Sequence, residues 1–225
     1  VFGAAEEVQA EGHDVYSVMR RQMVESQIRA RGITDERVLQ TLQKVPRHEF
    51  VPTTAKLLAY SDGPLPIGYG QTISQPYIVA LMTELLKVES DDKIFEVGTG
   101  SGYQAAVLAE LAKEVYTIEI VEPLYERAKE RLARRYQNVH VRLGDGTRGW
   151  PEAAPFDKIM VTAAGLKIPD LLIEQLKEGG RIVIPVGDNE QKLVVGEKVD
   201  GVLKTSDSIP VRFVPLVEGE DNTSD

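Results

Sequence analysis

Cysteine is absent from the 225 residues of this chain, which excludes disulfide bonds and thiol catalysis. Histidine is scarce: His13, His48 and His140 are scattered along the chain, and their spacing predicts no metal site. No apolar run approaches the ~18 residues that a membrane-spanning helix requires, so we expect no membrane partner. Positive charge is also in deficit. The formal net charge is −9 and the pI is about 5.0, which disfavours nucleic acid as a partner.

The most informative stretch is 93–104, with the sequence KIFEVGTGSGYQ. It opens with a strand-like run at 94–97 and continues with three glycines at alternate positions, Gly98, Gly100 and Gly102. An apolar segment typical of a helix follows. A strand, a glycine turn and a helix in this order are typical of a doubly wound sheet where it binds a nucleotide. Glycine lets the backbone turn tightly and lets a ligand approach without meeting a Cβ atom.

Two acidic residues accompany the glycine turn. Glu96 lies two residues before Gly98, where a carboxylate would repel a pyrophosphate but suits a cationic or amine-bearing ligand. Glu119 follows a second strand-like run and lies 21 residues after Gly98 (119 − 98), the spacing at which an acid contacts a ribose diol. The glycine turn and the two acids together suit S-adenosylmethionine, in which an amino acid carrying a sulfonium is joined to adenosine.

Strand-like and helix-like segments alternate after the glycine turn. We predict strands at 114–118, 139–143, 156–161 and 181–185, and helices at 121–136 and 169–176, the second of them ended by Gly179-Gly180. This alternation predicts an α/β fold with a doubly wound, mostly parallel sheet covered on both faces. A turn at Asp200-Gly201 within 191–204 predicts a hairpin that adds antiparallel strands at the C-terminal edge, and 211–216 is a candidate last strand.

Added elements precede the glycine turn. Helical spacing predicts a first helix from Asp14, and Thr34 or Asp35 can cap a second one. The stretch 46–76 has little periodicity and many prolines and glycines; a loop of this length in a compact domain is either a functional surface or disordered. Ser74 lies near its end, just before an apolar helix.

Five motifs resemble signatures of the protein-L-isoaspartate O-methyltransferases, a family of S-adenosylmethionine enzymes. In chain order they are Arg47–Pro52 (RHEFVP), Gln71–Pro76 (QTISQP), Glu96–Gln104 (EVGTGSGYQ), Gly144–Gly146 (GDG) and Pro185–Gly187 (PVG). The resemblance extends over roughly residues 19 to 217. Its most specific part is the Thr-Ile-Ser-Gln-Pro segment, because general methyltransferases lack it.

The resemblance implies an enzyme that transfers a methyl group from S-adenosylmethionine to the α-carboxylate of L-isoaspartyl residues in damaged proteins and peptides. The cofactor would leave as S-adenosyl-L-homocysteine. The methyl ester would close to a succinimide that reopens partly to normal aspartate, so the enzyme would begin a repair. The chain departs from the family at Gly165, where a proline is frequent, and at Val217, where family members offer the cofactor a hydroxyl.

The spacing and the resemblance together predict the cofactor site. Its predicted residues are Glu96, Gly98, Thr99, Gly100, Ser101, Gly102, Glu119, Asp145 and Gly146. Glu119 would hold the ribose hydroxyls, and Asp145 with Gly146 would contact the adenine. Each acid also has a simpler interpretation: a solvated strand end for Glu96, an acid in the first turn of a helix for Glu119, and a turn for Asp145.

Ser74 is the predicted catalytic residue, holding the substrate carboxylate through its hydroxyl, and Thr72 is predicted to bind substrate beside it. The alternative role of Ser74 is to cap the helix that follows. A carboxylate with a pKa near ~4 is already ionised at neutral pH, so the reaction requires no general base. It requires alignment of the oxygen, the methyl carbon and the sulfur.

Other functions share parts of this pattern. A nicotinamide-dependent oxidoreductase would use the same fold, but the Gly-x-Gly-x-Gly spacing, Glu96 and the lack of an obvious proton donor disfavour it. A methyltransferase of small molecules or nucleic acid is the alternative within the class; the low pI and the absence of an Asn-Pro-Pro-Tyr motif disfavour nucleic acid. The intact Thr72–Ser74 segment disfavours a binding protein that has lost its activity.

The predicted organisation is a mobile arm at 1–13, a single domain at 14–217 and an acidic tail at 218–225. Within the domain, 14–90 would hold the N-terminal helices and the loop Thr72–Ser74, called the substrate loop below, and 91–217 would hold the cofactor-binding sheet. We expect a monomer in the cytoplasm. The sequence does not start with methionine, which indicates processing or trimming, and removal of an export signal stays an alternative.

Overall fold

The computed structural model describes residues 15–219. The arm predicted at 1–13 and residues 220–225 of the predicted tail lie outside the described residues. Within the described range, no helix is long and apolar enough to cross a membrane.

Two helices form an N-terminal layer. Helix α1 (Val15–Gln22) continues into a π-helical turn, and α2 spans Glu36–Lys44. Asp35 caps α2, because one oxygen of its carboxylate accepts hydrogen bonds from the backbone amides of Arg37 at 2.9 Å and Val38 at 3.4 Å. Of the two predicted caps, Asp35 is the one that the structure confirms.

The stretch that showed little periodicity, 46–76, contains short elements. They are two 3₁₀ turns, Arg47–Glu49 and Thr53–Leu58, and a hairpin of strands β1 (Leu65–Gly68) and β2 (Gln71–Ile73). Strands of three and four residues are too short for an alternating pattern to be recognised in the sequence.

The central sheet contains seven strands within the described part of the chain: β3 (Lys93–Val97), β4 (Glu114–Glu119), β5 (Val139–Leu143), β6 (Phe156–Val161), β7 (Leu176–Val186), β8 (Gln191–Val199) and β9 (Val202–Val211). Their order is β5-β4-β3-β6-β7-β8-β9; the first five are parallel, and β8 and β9 are antiparallel. This confirms the predicted sheet and its antiparallel C-terminal edge. The strand order reverses at β3, so the glycine turn opens at the switch point where such sheets bind ligands.

Helices cover both faces of the sheet. They are α3 (Pro76–Leu86), α4 (Tyr103–Ala109), α5 (Glu122–Ala133) and α6 (Asp170–Gln175). Ile94 and Phe95 are consecutive in β3 and belong to different apolar clusters, because successive side chains of a strand point to opposite faces. The Ile94 cluster includes buried residues of α3, α4 and α5, and the Phe95 cluster includes Leu172 of α6.

The boundary between α6 and β7 differs from the prediction. A helix to Leu176, ended by Gly179-Gly180, and a strand from Arg181 were expected; instead, α6 ends at Gln175 and β7 runs through both glycines. Leu176 pairs with Phe156 of β6 and is 1% exposed, and the register shifts beyond this pair. Burial against the neighbouring strand extends β7 where the local pattern indicates a helix.

The C-terminal edge confirms the predicted hairpin and corrects the predicted last strand. Asp200 and Gly201, at φ of 55° and 74°, form the turn between β8 and β9. β9 ends at Val211, so the strand expected at 211–216 is wrong. In the described chain beyond Val211, Pro215 forms an isolated bridge with Ala164, and Pro215 has no N–H with which to extend a ladder.

Candidate active site

A cavity of about 770 Å³ opens at the carboxyl edge of the sheet. Thr72 and Ser74 of the substrate loop line it, and so do Gly98 and Gly100 of the glycine turn. Its volume lies within the ~300–1,000 Å³ typical of ligand pockets. The structure therefore brings the predicted substrate residues and the predicted cofactor turn to one cavity.

The predicted site residues divide into two groups. Six line the cavity: Thr72, Ser74, Gly98, Gly100, Glu119 and Gly146. Five do not: Glu96, Thr99, Ser101, Gly102 and Asp145. The roles assigned to both groups stay predictions. Within residues 15–219, no group of three or more metal-ligating side chains occurs.

The glycine turn adopts backbone conformations that other residues rarely take. Gly98, Gly100 and Gly102 have φ of 94°, 54° and 86°. A Cβ atom on Gly98 would lie 2.5 Å from Oγ1 of Thr162. The Thr162 hydroxyl lies 2.9 Å from the carbonyl of Val97 and 2.8 Å from that of Gly98, so it supports the turn as a donor. Thr162 was not among the predicted site residues, although its position directly after β6 at the carboxyl edge of the sheet could have indicated it.

Glu119 presents a fixed carboxylate to the cavity. Its Oε2 accepts a hydrogen bond from the amide of Gly100 at 2.7 Å, and its Oε1 accepts one from the amide of Val121 at 2.9 Å. The residue is 5% exposed. Each carboxylate oxygen has a second lone pair, so Glu119 can still accept hydrogen bonds from a diol.

Glu96 lies in the protein interior behind the turn. It is 0% exposed, and its Oε2 accepts a hydrogen bond from Oγ1 of Thr117 at 2.6 Å. Thr99 extends this network, since its Oγ1 lies 2.7 Å from Oγ1 of Thr117. Among the described residues, 15–219, Oε1 of Glu96 has no hydrogen-bond partner. Burial raises the pKa of Glu96 to about 8, so the carboxyl group is mostly protonated at neutral pH.

Asp145 and Gly146 follow β5, and of the two only Gly146 lines the cavity. Oδ1 of Asp145 accepts from the amide of Thr147 at 2.8 Å and caps a 3₁₀ turn, and Oδ2 accepts from the amide of Gly219 at 2.9 Å. A Cβ atom on Gly146 would lie 2.3 Å from Cγ1 of Val97, so only glycine fits against β3. The simpler interpretation of Asp145 as a turn residue agrees with the first contact, and its contact with adenine stays a prediction.

Ser74 does not cap the helix that follows it. The N-cap position of α3 is occupied by Gln75, whose side chain makes no capping hydrogen bond, and Pro76 is the first helical residue. The alternative role of Ser74 as a helix cap is therefore wrong. The Ser74 side chain is half-buried and faces the cavity, while its carbonyl accepts a hydrogen bond from Nη2 of Arg47 at 2.7 Å.

One wall of the cavity was predicted only at Val217, which the resemblance places near the cofactor. Residues 210–217 form this wall, including Val217. Ala164 anchors this wall, because its amide donates to the carbonyl of Val214 and its carbonyl accepts from the amide of Leu216, each at 2.8 Å. The segment has no regular strand beyond β9, so periodicity gave no signal for its position.

The fold and the cavity together define a class of enzyme. A doubly wound sheet, a glycine turn at its central strand and an acid at the end of the next strand form the architecture of the S-adenosylmethionine-dependent methyltransferases. Within this class, the chain belongs to the protein-L-isoaspartate(D-aspartate) O-methyltransferase family, whose sequence model matches residues 19–221.

Individual relatives agree with this assignment. A protein-L-isoaspartate O-methyltransferase of Opitutus terrae is 56% identical over 200 residues, which cover 88% of this chain and 86% of the relative. A solved protein-L-isoaspartate O-methyltransferase superimposes with a TM-score of 0.78 at 29% identity, covering 87% of this chain but only 65% of that one.

A second solved structure is a Plasmodium falciparum protein assigned to the same enzymes and crystallised with S-adenosyl-L-homocysteine. It superimposes with a TM-score of 0.78 at 26% identity, and the match covers 89% of this chain and 99% of that one.

Proposed function

We propose that this chain transfers a methyl group from S-adenosylmethionine to the α-carboxylate of L-isoaspartyl residues in damaged proteins and peptides. The observation that carries the proposal is that Ser74 of the substrate loop and Gly98 of the glycine turn line the same cavity. The ester product closes to a succinimide when the neighbouring backbone nitrogen attacks it and methanol leaves. Hydrolysis of the succinimide then gives normal aspartate in part, which repairs the damaged substrate protein or peptide.

The residues around the glycine turn fit S-adenosylmethionine. Gly98 and Gly100 present backbone without side chains to the cavity, and Glu119 offers a carboxylate suited to the ribose hydroxyls. Glu96 lies behind the glycine turn and does not line the cavity, so its proposed part in cofactor binding is indirect. When bound, S-adenosylmethionine supplies an electrophilic methyl group.

Ser74 and Thr72 hold the substrate in this proposal. The Ser74 hydroxyl donates a hydrogen bond to the α-carboxylate and orients one oxygen for attack, and Thr72 binds beside it. No side chain has to remove a proton, because the carboxylate is already ionised at neutral pH. These residues contribute by aligning the reacting groups. In intramolecular reactions, complete alignment lowers the activation barrier by up to about 7–11 kcal/mol.

A labelling experiment tests the proposal. The chain is incubated with S-adenosylmethionine carrying a labelled methyl group, together with an isoaspartyl peptide or its normal aspartyl twin. We expect label in the isoaspartyl peptide only, and base-labile release of labelled methanol. Equal labelling of both peptides, or of neither, would overturn the assignment.

The proposal also covers the domain organisation, the oligomeric state, the location and the partners of the chain. We propose that residues 14–217 form one domain, which acts as a monomer in the cytoplasm without a membrane or nucleic-acid partner. The net charge of −9 supports the last point, since it opposes binding to phosphate backbones. Light scattering of the purified chain, with and without duplex DNA, tests the monomer and the absence of nucleic-acid binding.

A further inference from the structure

The Arg47–Pro52 motif is one of the family signatures, yet the proposed function gives its arginine no role. Arg47 is 0% exposed and is the largest of the fully buried side chains. A buried guanidinium is costly unless its N–H groups are hydrogen-bonded. Nε and Nη2 of Arg47 have hydrogen-bond partners, whereas Nη1 has none among the described residues, so the first two indicate what Arg47 does. Burial lowers the pKa of Arg47 to about 10, which leaves the side chain charged at neutral pH.

Three contacts connect Arg47 to three separate segments. Its Nε donates to the carbonyl of Ala59 at 2.7 Å, and its Nη2 donates to the carbonyl of Ser74 at 2.7 Å. Its guanidinium carbon lies 4.9 Å from the centre of the Tyr103 ring, a cation–π contact. Tyr103 is the first residue of α4 and directly follows Gly102. One side chain therefore links the substrate loop to the helix that continues the glycine turn.

We propose that Arg47 is a positioning residue, which fixes the backbone of Ser74 relative to the glycine turn and so places the Ser74 hydroxyl for the substrate carboxylate. This inference rests on the proposed function, in which Ser74 holds that carboxylate. The planar guanidinium directs two N–H donors at fixed angles to two carbonyls, an arrangement that the single ammonium of lysine does not reproduce.

The position of the Ser74 hydroxyl affects the rate because it sets the alignment of the substrate carboxylate. In methyl transfer the attacking oxygen, the methyl carbon and the sulfur must lie in line, and a displacement on the order of 1 Å can lower a rate about 100-fold. The Ser74 side chain has one rotatable bond between its backbone and its hydroxyl oxygen, so fixing the carbonyl of Ser74 restricts where the hydroxyl can lie.

The first experiment measures two variants of the full chain, Arg47→Lys and Arg47→Gln. We expect kcat for the isoaspartyl peptide to fall by about 10- to 100-fold, while the Kd for S-adenosylhomocysteine changes by less than about 2-fold. Arg37→Lys is the matched control, because Arg37 also donates from Nη2 to a backbone carbonyl, that of Val88 at 2.8 Å, but does not line the cavity. The control should keep the activity of the wild type.

The second experiment is a double-mutant cycle with Ser74→Ala, which separates positioning from general stability. If Arg47 acts through Ser74, then Arg47→Lys in the Ser74→Ala background should lower kcat by less than about 2-fold. If the kcat losses of the two single variants multiply in the double variant, the inference is overturned. It is also overturned if the Arg47 variants lose affinity for S-adenosylhomocysteine by the same factor as they lose kcat. Circular dichroism checks folding, and failure of both Arg47 variants to fold would assign Arg47 to stability alone.

The two proposals can fail separately. A wild-type chain that does not label the isoaspartyl peptide overturns the proposed function and this inference with it. If the wild-type chain labels the peptide but the kcat losses of Arg47→Lys and Ser74→Ala multiply in the double variant, only the positioning role of Arg47 is overturned.

Discussion

The backbone amide of Gly100 donates a 2.7 Å hydrogen bond to Oε2 of Glu119, which joins the glycine turn after β3 to the end of β4. The amide of Val121 holds the other carboxylate oxygen at 2.9 Å. Glu119 therefore shapes the turn and also presents its carboxylate to the cavity in a fixed orientation. An acceptor that is already oriented loses little freedom when a diol binds, which favours affinity.

We predict that Glu119→Gln weakens cofactor binding. The amide NH₂ of glutamine would face one of the two backbone N–H donors, and the charge that strengthens the hydrogen bonds would be lost. Hydrogen bonds to a charged group contribute roughly 1.5–3 kcal/mol each, so the Kd for S-adenosylhomocysteine should rise about 10- to 100-fold in calorimetry. Glu122→Gln, an exposed acid in the first turn of α5, is the control. An unchanged Kd would show that Glu119 does not contact the cofactor.

Ser74→Ala should lower turnover and leave cofactor affinity nearly unchanged. The lost hydroxyl donates to a charged carboxylate in the proposed complex, so kcat/KM for the isoaspartyl peptide should fall about 10- to 100-fold. Ser26→Ala is the control, since Ser26 donates to the carbonyl of Gln22 on an exposed surface near α1. A parallel loss of S-adenosylhomocysteine binding by calorimetry would mean that Ser74 serves the cofactor rather than the substrate.

Gly98→Ala should destabilise the chain and impair cofactor binding. Gly98 has φ of 94°, and an added Cβ would lie 2.5 Å from Oγ1 of Thr162, so both the backbone of the turn and the Thr162 side chain would have to shift. We expect a loss of about 1–3 kcal/mol of unfolding free energy and a Tm lower by several degrees. Gly63→Ala is the control, because nothing lies within 4 Å of its added Cβ. Equal Tm values for the two variants would contradict the argument.

The sheet could be predicted well where each strand is marked by a local pattern of residues in the sequence. The strands from β3 to β6 are short runs of apolar or alternating residues bounded by turn residues, and the glycine turn was predicted from its spacing together with the two acids, Glu96 and Glu119. β7 was predicted less well, because its start depends on the pairing of Leu176 with Phe156, which are far apart in sequence. The same reason explains why the end of β9 and the bridge between Pro215 and Ala164 were missed.

The candidate site was predictable residue by residue only in part. Glu96 and Glu119 stand at comparable places near the ends of neighbouring strands, and their carboxylates have the same chemistry. The structure places Glu119 in the cavity and Glu96 in the interior, because strand pleating and the path of the turn decide which way each points. The wall at 210–217 reaches the cavity by tertiary packing alone, so no local pattern in the sequence indicates it.

Glu96 predicts a pH dependence of stability. Burial raises its pKa to about 8; the hydrogen bond from Thr117 opposes this rise and the nearby Glu119 adds to it. An unfolded glutamate titrates near ~4.3, so between about pH 4.3 and pH 8 the folded chain keeps a proton that the unfolded chain has released. This contribution to stability is fully present below the unfolded pKa and is lost as pH rises through the folded pKa. Its slope is at most about 1.4 kcal/mol per pH unit.

Glu96→Gln should remove this dependence, because its amide oxygen can still accept the hydrogen bond from Thr117 and it carries no titrating proton. Urea unfolding followed by circular dichroism from pH 5 to pH 8.5 measures the difference in unfolding free energy between variant and wild type. We expect that difference to shift in favour of the variant as pH rises, whereas Glu122→Gln, the exposed control, stays parallel to the wild type. A difference that does not change with pH would mean that Glu96 is already ionised in the folded chain at neutral pH, and its pairing with Thr117 would then have to be reinterpreted.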